Sequence, residues 1–468
     1  MHRHTPHPSR PAARTSAARH APLAALAAAV IALGALAPPG HAFCGFFVAT
    51  GDSKLFNKSS SVAIVRDGDR TVLTMASDFK GDPKEFAMVV PVPTVLQRGQ
   101  IHVGEQAWVD HLDQFSAPRL VEYWDSDPCA KPMAVQELSV GAAVKMSSSA
   151  IRVRGGREDE VKIEAKYTVG EYDILILSAT QSDALAAWLD RNGYKVPPGA
   201  TRVIDAYLKQ GMKFFVAKVN RGERAKAGYQ NLRPLQMAFE TPRFGLPLRL
   251  GMANADGPQE LFIYALTKRG RIECTNYRTV KLPTGAEIPD YVKGVFPAFY
   301  RATFDTQTLR ENHSAVFLEY AWDMSWCDPC ASPPLAADEL RGLGVWWAPG
   351  AGGVPSRFGG ANASTFLTRL HVRYDAAHFP EDLVFQVTDN RENFQGRYVL
   401  RHAFEGDCDC DAGRKYLAGL RERRREQAQT LAALTGWDLA TIRDNMNVKD
   451  DWSKGGEGLT WWQSLWDK

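Results

Sequence analysis

The residues of this chain best suited to chemistry are its cysteines. Four of the seven form two close pairs, a C-x-x-C of Cys327 and Cys330 and a C-x-C of Cys408 and Cys410. Three kinds of chemistry are open to these four thiols: structural disulfides that hold the carboxy-terminal loops, a four-thiolate structural zinc site, and a redox-active pair at Cys327 and Cys330. C-x-C is an awkward half-site for zinc, so structural disulfides are the favoured interpretation.

All seven cysteines lie after residue 43, and an odd count leaves at least one thiol without an intramolecular partner. The disulfide candidates are Cys44, Cys129, Cys274, Cys327, Cys330, Cys408 and Cys410.

The C-x-x-C segment superficially resembles the thioredoxin motif, because an apolar run at residues 315–322 precedes the W-C-D-P-C of residues 326–330. A reactive cysteine of that type lies at the start of a helix, whose dipole lowers the pKa of the thiol. Here the next helical pattern begins only at Leu335, and the carboxylate of Asp328 opposes thiolate formation. A thiol–disulfide oxidoreductase, with Cys327 as nucleophile and Cys330 as resolving thiol, is therefore the alternative function.

No other motif predicts a catalytic or cofactor site. The chain lacks a G-x-S-x-G nucleophile elbow, an H-E-x-x-H metal helix, a Walker A loop and a dinucleotide fingerprint. The Asp-His-Leu-Asp group at residues 110–113 is better explained as a solvated helix face, because neighbouring residues on a helix point in different directions. We expect no cofactor, and no metal beyond the zinc possibility at the four carboxy-terminal cysteines.

The elements expected to position these residues are short and mostly strands. An Asp-Gly pair at residues 67–68 predicts a hairpin between the first two strands. The predicted helices cover residues 105–115, 182–191 with Ser182 as the cap, 201–209 and 414–434. The predicted strands cover residues 62–65, 71–76, 86–92, 119–124, 161–169, 172–177, 213–219, 235–240, 260–267, 272–281, 366–374 and 396–403.

The amino end has the pattern of an export signal. Residues 1–22 carry only positive charge, residues 23–37 are apolar, and Gly40-His41-Ala42 supplies the small residues of a cleavage site. The apolar run is shorter than the roughly 20 residues that a membrane span needs. We expect cleavage near Ala42 and a periplasmic or extracellular mature protein.

Charge argues against a nucleic-acid partner. The chain has a formal net charge of +3, and residues 1–42 contain four arginines and no acid, so residues 43–468 carry −1. A nearly neutral mature chain lacks the basic excess of a general nucleic-acid binder.

The carboxy-terminal region, residues 406–468, has a different composition from the rest. Five of the 12 tryptophans fall in the last 32 residues, and Leu459, Trp462 and Trp466 would share one helical face. That face is expected to dock on the protein's own body. The functional alternative is contact with an envelope protein, a glycan or a membrane surface through Trp462 and Trp466.

Several ordered segments resemble the bacterial family called domain of unknown function 2330. They include Cys44-Gly45-Phe46-Phe47, the E-F-A-M-V-V-P-V-P of residues 85–93, the P-L-R-L-G of residues 247–251 and the C-D-P-C of residues 327–330. The resemblance covers roughly residues 43 to 405. It implies an exported bacterial protein without an established activity, and it transfers no catalytic residues.

These observations together predict an α+β fold with a strand-rich mature body, a few short helices and a helical carboxy-terminal extension. The expected organisation is a signal peptide at 1–42, a body at 43–405 with a possible sub-boundary near 146–160, and an extension at 406–468. We expect a non-catalytic binding or scaffolding protein of the cell envelope that disulfides stabilise.

Overall fold

The computed structural model describes residues 46–49, 56–80, 86–130, 161–192, 196, 199–220, 232–253, 255, 257–326, 332–349 and 364–447. Within these residues the protein is a mixed α+β fold with several sheets, so the fold class predicted from the sequence is confirmed. None of the helices in the described ranges is long and apolar enough to cross a lipid bilayer.

The strands of the described residues are, in chain order, β1 (Phe46–Ala49), β2 (Phe56–Asp67), β3 (Arg70–Lys80), β4 (Phe86–Val92), β5 (Ile101–Val103), β6 (Arg119–Trp124), β7 (Lys162–Val169), β8 (Tyr172–Ser178), β9 (Lys213–Val219), β10 (Leu235–Glu240), β11 (Gly245–Leu246), β12 (Gln259–Thr267), β13 (Ile272–Cys274), β14 (Arg278–Lys281), β15 (Glu287–Ile288), β16 (Ala315–Asp323), β17 (Phe366–Tyr374), β18 (Leu383–Val387), β19 (Phe394–Gln395) and β20 (Arg397–His402).

The α-helices of these residues are α1 (Gln106–Ser116), α2 (Ser182–Arg191), α3 (Ala200–Leu208), α4 (Arg249–Met252), α5 (Phe296–Arg310), α6 (Ala337–Gly342), α7 (Asp411–Thr435) and α8 (Leu439–Asn445). Short 3₁₀ turns at Arg98–Gln100 and Asp290–Val295 complete the regular structure.

A nine-stranded sheet in the order β14-β16-β17-β12-β2-β3-β10-β5, with β19 paired to β16, forms the centre of the fold. The β2–β3 hairpin turns at Gly68, whose positive φ of 58° suits the predicted Asp-Gly turn. At the centre of the sheet β12 pairs in parallel with β2 and antiparallel with β17.

One face of this sheet packs on a five-stranded sheet of order β1-β4-β9-β8-β7. Alternate apolar residues of both sheets share one cluster, which includes Ile64, Ile263 and Leu370 from the large sheet and Val90 and Ile174 from the smaller one. Helices α2 and α3 cover the outer face of the five-stranded sheet through Leu185, Ile204 and Tyr207 among others. Period-two alternation thus places two apolar faces against each other.

The opposite face of the nine-stranded sheet carries helices α1, α5 and α6. Leu112 and Phe115 of α1 and Leu340 of α6 join one apolar cluster on this face, and Phe304 of α5 joins another with Phe317 of β16. This helix-covered face holds the polar side chains considered below.

The carboxy-terminal helices pack against a third layer of the fold. Leu431 of α7 and Ile442 of α8 share an apolar cluster with Phe299 of α5 and with Tyr398 and Leu400 of β20. Strand β20 lies between β15 and β6, parallel to both.

Two local expectations are wrong, and one helix was missed. The single strand expected at 272–281 is two short strands, because a turn intervenes in which Thr279 Oγ1 accepts from the backbone N–H of Cys274. Helix α2 is capped at Gln181 and not at Ser182, and no side-chain cap bond forms there. Helix α5 was not predicted, because Phe299 faces one apolar cluster and Phe304 another. Such a helix has no single apolar stripe.

Candidate functional site

Strands β12, β16 and β17 place an unusual set of polar side chains on the helix-covered face of the large sheet. Register brings Phe262 opposite His371 and Tyr264 opposite Arg369. Strand β16 contributes through a β-bulge: Leu318 pairs with Leu370 and Tyr320 with Arg369, so Glu319 is an extra residue of the strand. Such bulges redirect a side chain from the regular alternation of a strand. Here the bulge directs a carboxylate toward the helices.

Glu319 lies at the centre of a buried ionic cluster. Its Oε1 lies 2.9 Å from His371 Nδ1 and also accepts a hydrogen bond from the Tyr300 hydroxyl of α5. Its Oε2 accepts from Arg369 Nε at 2.7 Å. The side chains of Glu319, His371 and Arg369 are 0%, 2% and 4% exposed. Buried charges of this kind are tolerated when each is paired and hydrogen-bonded.

Both ends of this cluster continue to the surface. On one side Arg369 Nη1 donates to Asp113 Oδ1 at 2.7 Å. On the other, His371 Nε2 lies 3.7 Å from Glu260 Oε2, beyond hydrogen-bond range, and Arg373 joins Glu260 to Asp305. The terminal carboxylates of Asp113 and Asp305 are 45% and 51% exposed. We call the set the buried charge chain, whose members alternate in sign: Asp305, Arg373, Glu260, His371, Glu319, Arg369 and Asp113.

Aromatic rings enclose the imidazole of His371. Phe304 stacks on it with ring centroids 3.6 Å apart, and Phe262 stacks on the other side at 4.2 Å. Burial alone would lower the pKa of His371, but Glu319 and Glu260 raise it above its ordinary value. Burial likewise opposes ionisation of Glu319, yet His371 and Arg369 hold the pKa of that carboxyl at about 2. A charged imidazole between two phenyl rings gains cation–π attraction.

The buried charge chain is closed to ligands at its centre. Tyr300 and Phe304 of α5 lie over His371, and Asp113 and Ser116 of α1 lie within hydrogen-bond distance of Arg369. A ligand would have to displace a helix to reach Glu319. The geometry therefore assigns the buried charge chain an architectural role.

The same sheet face is open at its other end, beyond β3. A cleft of about 240 Å³ lies over β3, β10 and β5. We call it the open cleft, and its lining residues are Val72, Gly99, Gln100, His102, Gln236, Ala238, Arg341, Gly344 and Trp346.

Close packing of two glycines positions the wall that carries Arg341 and Trp346. A Cβ on Gly342 would lie 2.2 Å from the Trp108 ring of α1, so α6 approaches α1 as closely as backbone permits. Gly344 has a φ of +100°, and a Cβ there would lie 2.5 Å from Val72 Cγ1. Only glycine satisfies both the positive φ and the contact.

Helix α6 is also held at its start by His111 of α1. One ring nitrogen lies 2.8 Å from Glu339 Oε1 and the other 2.8 Å from the carbonyl of Pro333. Glu339 in turn accepts from the backbone N–H of Ala336 at 2.7 Å. Both partners of the imidazole are oxygen acceptors. His111 therefore anchors the wall of the cleft, which differs from the solvated helix face expected for residues 110–113.

One polar group of the open cleft is a buried donor without a partner among the described residues. Arg341 Nη1 is buried and has no hydrogen-bond partner among the described residues. No acidic side chain belongs to the lining, and no carboxylate of the described residues forms an ion pair with Arg341. The Trp346 side chain is 39% exposed and meets Trp347 edge to face at 4.9 Å. The cleft thus combines a cation, an imidazole and an exposed indole.

The chain matches a bacterial protein family over more than half of its length. The family, described as an uncharacterized protein conserved in bacteria (DUF2330), matches residues 38–386. The chain belongs to DUF2330. Neither a curated protein nor a solved structure matches the chain.

The DUF2330 match includes the whole buried charge chain and the whole open cleft. It ends before Cys410, which forms a disulfide with Cys129 across 281 sequence positions. The bond joins the DUF2330 region to the first residues of α7, and Asp125 supports the same junction by accepting from Tyr416 at 2.7 Å. The disulfide therefore ties the carboxy-terminal helices to the part of the chain that the family covers.

The other predicted cysteine partners do not bond to Cys410. Cys408 is a buried free thiol with its Sγ 3.6 Å from the carbonyl of Gly406, and Cys274 is a half-buried free thiol. Cys410 lies instead at the N-cap of α7, where it faces Cys129 and accepts from the N–H of Gly413 at 3.1 Å. Engaged in this bond, Cys410 does not serve as a zinc ligand. No group of three metal-ligating side chains occurs within the described ranges.

The remaining predicted site residues lie outside the described residues. These are Cys44, the possible redox pair Cys327 and Cys330, and the possible docking residues Trp462 and Trp466. Their roles stay predictions. The signal peptide of residues 1–42 also lies outside the described residues.

Sequence reasoning missed both polar regions of the sheet face. The buried charge chain draws on three strands and two helices that are up to 260 residues apart in sequence. Arg341 lies in the short helix α6, Trp346 lies just after it, and neither belongs to a motif. The one available signal was the alternation of Arg369, His371 and Arg373 along β17, which shows that they share a face.

Proposed function

We propose that this DUF2330 member is an exported cell-envelope protein that works by binding a small polar ligand in the open cleft. The export signal pattern of residues 1–42 supports the compartment. The Cys129–Cys410 disulfide is in keeping with it, because disulfides persist in oxidising compartments.

The observation that carries the binding proposal is the buried Nη1 of Arg341, which has no hydrogen-bond partner among the described residues and lies in a cleft whose described lining has no acidic side chain. A buried polar group normally has a hydrogen-bond partner, and an exception calls for an explanation. A ligand acceptor in the cleft would be that partner. The exposed Trp346 ring adds an apolar platform beside it, and a few polar groups around an apolar surface are typical of small-molecule sites.

The test is a titration of the purified protein with a panel of small envelope compounds, followed by tryptophan fluorescence. The panel contains neutral hexoses, N-acetylhexosamines, hexuronates, amino acids and short peptides. At least one compound should produce a saturable change in the wild type that is lost in Trp346→Ala.

Trp124→Ala is the matched control, because Trp124 is 68% exposed on β6 and does not line the open cleft. That variant should bind as the wild type does. Binding that survives Trp346→Ala, or a panel in which no compound binds, would contradict the proposal.

A further inference from the structure

Most of the buried or partly buried arginines among the described residues have a carboxylate partner. Arg369 is paired with Glu319 and Asp113, and Arg373 with Glu260 and Asp305. The same holds for two arginines elsewhere in the fold, Arg233 with Glu171 and Arg249 with Asp382.

No carboxylate of the described residues pairs with Arg341, and its Nη1 has no hydrogen-bond partner among them. An arginine cannot lose its proton in a protein, so its charge stays in place without a counter-charge from this part of the chain.

The side-chain amides of the open cleft leave little capacity for a neutral ligand. Gln236 Nε2 donates to Thr74 Oγ1 at 2.8 Å and to the carbonyl of Gly342 at 3.0 Å. Gln100 donates to the carbonyl of Ala238 and accepts from the N–H of Gln97, both at 2.8 Å. The groups left for a ligand are the guanidinium of Arg341, the ring of His102, the indole of Trp346 and the Oε1 acceptor of Gln236. The permanent positive charge of Arg341 favours an acceptor-rich, negatively charged ligand.

Size and shape restrict the ligand further. Pockets for drug-sized ligands measure about 300–1,000 Å³, and the open cleft, at about 240 Å³, has room for one ring. The exposed face of Trp346 suits a ring with an apolar face. A sugar ring has such a face, and a carboxylate on it would supply the charge that Arg341 lacks.

From these observations we infer that the open cleft binds the carboxylate-bearing ring of a sugar acid, with the carboxylate beside Arg341 and the sugar ring against Trp346. This inference rests on the proposed function, since it names the ligand class of the same cleft.

The test compares D-glucuronate with D-glucose, which has the same ring without the carboxylate, and with inorganic phosphate, which has charge without the ring. A hydrogen bond to a charged group contributes about 1.5–3 kcal/mol, so glucuronate should bind about 10- to 100-fold more tightly than glucose. Phosphate should bind more weakly than glucuronate. Isothermal calorimetry on the purified protein measures all three affinities.

Two variants assign the preference to Arg341. Arg341→Gln should bind glucuronate and glucose with equal affinity, and Arg341→Lys should keep part of the preference because it keeps the charge. Arg70→Gln is the matched control, because Arg70 is exposed and paired with Glu240 outside the cleft. It should retain the full preference of the wild type.

The outcomes separate this inference from the proposed function. If glucose binds as tightly as glucuronate in a manner that depends on Trp346, the cleft is a ligand site but the sugar-acid inference is wrong. If phosphate binds as tightly as glucuronate, the cleft recognises charge alone and the inference is also wrong. If glucuronate does not bind while another panel compound does, the ligand class is wrong and the proposed function stands.

Discussion

The buried charge chain and the open cleft lie on one face of one sheet, but they differ in whether their charged side chains have partners. At the buried charge chain, α5 and α1 cover the strands, and Arg369 is paired with the carboxylates of Asp113 and Glu319. At the cleft the helices no longer cover the strands, and Arg341 has no carboxylate partner among the described residues. The difference indicates which charged side chains stabilise the fold and which are available to a ligand.

The physical reason for the contrast is the cost of desolvation. A charge that is removed from water must be compensated by its neighbours. In the buried charge chain, positive and negative side chains alternate across three strands and so compensate one another. A charge beside an open cleft can be compensated by a ligand instead. Arg369 is buried and Arg341 is only partly buried, and of the two only Arg369 has a carboxylate partner among the described residues.

The largest expected effect comes from the same substitution at both arginines. Arg369→Gln should lower the free energy of unfolding by about 3–5 kcal/mol, because it removes one of the two cations that compensate the buried Glu319. Arg341→Gln should change the free energy of unfolding by no more than about 0.5 kcal/mol, because it breaks no ion pair within the described residues. Denaturant unfolding measures both values.

Equal losses at the two positions would contradict this contrast. They would show that Arg341 has a structural partner comparable to Glu319, and the open cleft would lose its distinguishing feature.

A smaller effect is expected at Gly344, which shapes the wall of the open cleft. Gly344→Ala meets both an unfavourable positive φ, costing about 1–2 kcal/mol, and a clash with Val72, costing about 1–3 kcal/mol. We expect a total loss of about 2–5 kcal/mol in the free energy of unfolding.

Gly285→Ala is the matched control, because Gly285 has a φ of +75° but open space around its Cα. It should show the conformational cost alone. If the two variants lose the same stability in thermal or denaturant unfolding, the Val72 contact does not position the wall.

The smallest effect concerns the pH dependence of the free energy of unfolding, and we predict it from the buried charge chain. The pKa of His371 is raised in the folded protein above its ordinary value of 6.5. Its stabilising contribution is therefore complete below pH 6.5 and is lost as the pH rises through the folded-state pKa. Glu319 and Glu260, with pKa values held at about 2, contribute above pH 4.5 and lose that contribution as the pH falls toward 2.

Unfolding midpoints measured across this range should fall on both sides of a maximum. His371→Gln should flatten the decline on the alkaline side, where each unit of pKa difference is worth about 1.4 kcal/mol. Arg341→Gln should leave the profile unchanged. A wild type whose stability rises between pH 6.5 and 8 would contradict the assignment of a charged His371.

Local patterns in the sequence predicted most of the strands well. The predicted bounds of β4, β6, β9, β10 and β17 agree with the structure, because period-two alternation and turn residues are local signals. Helix α5 was missed because its apolar side chains face two different clusters.

The site could not be predicted in the same way. Which strands become neighbours depends on long-range pairing, as when β12 lies between β2 and β17. The bulge at Glu319 depends on that register too. The role of Arg341 depends on the absence of a carboxylate partner among the described residues. The local sequence gives no sign of that absence.

The Cys129–Cys410 bond sets an order of events during the making of the protein. Chains are synthesised from the amino end at about 5–20 residues per second, so the 281 positions between the two cysteines represent about 14 to 56 s of synthesis. Cys274 is synthesised within that interval and is therefore a competing partner for Cys129. In the finished fold, burial raises the pKa of the Cys274 thiol and so suppresses the thiolate needed for exchange. Once the protein has folded, the thiol of Cys274 is thus poorly suited to attack the Cys129–Cys410 bond.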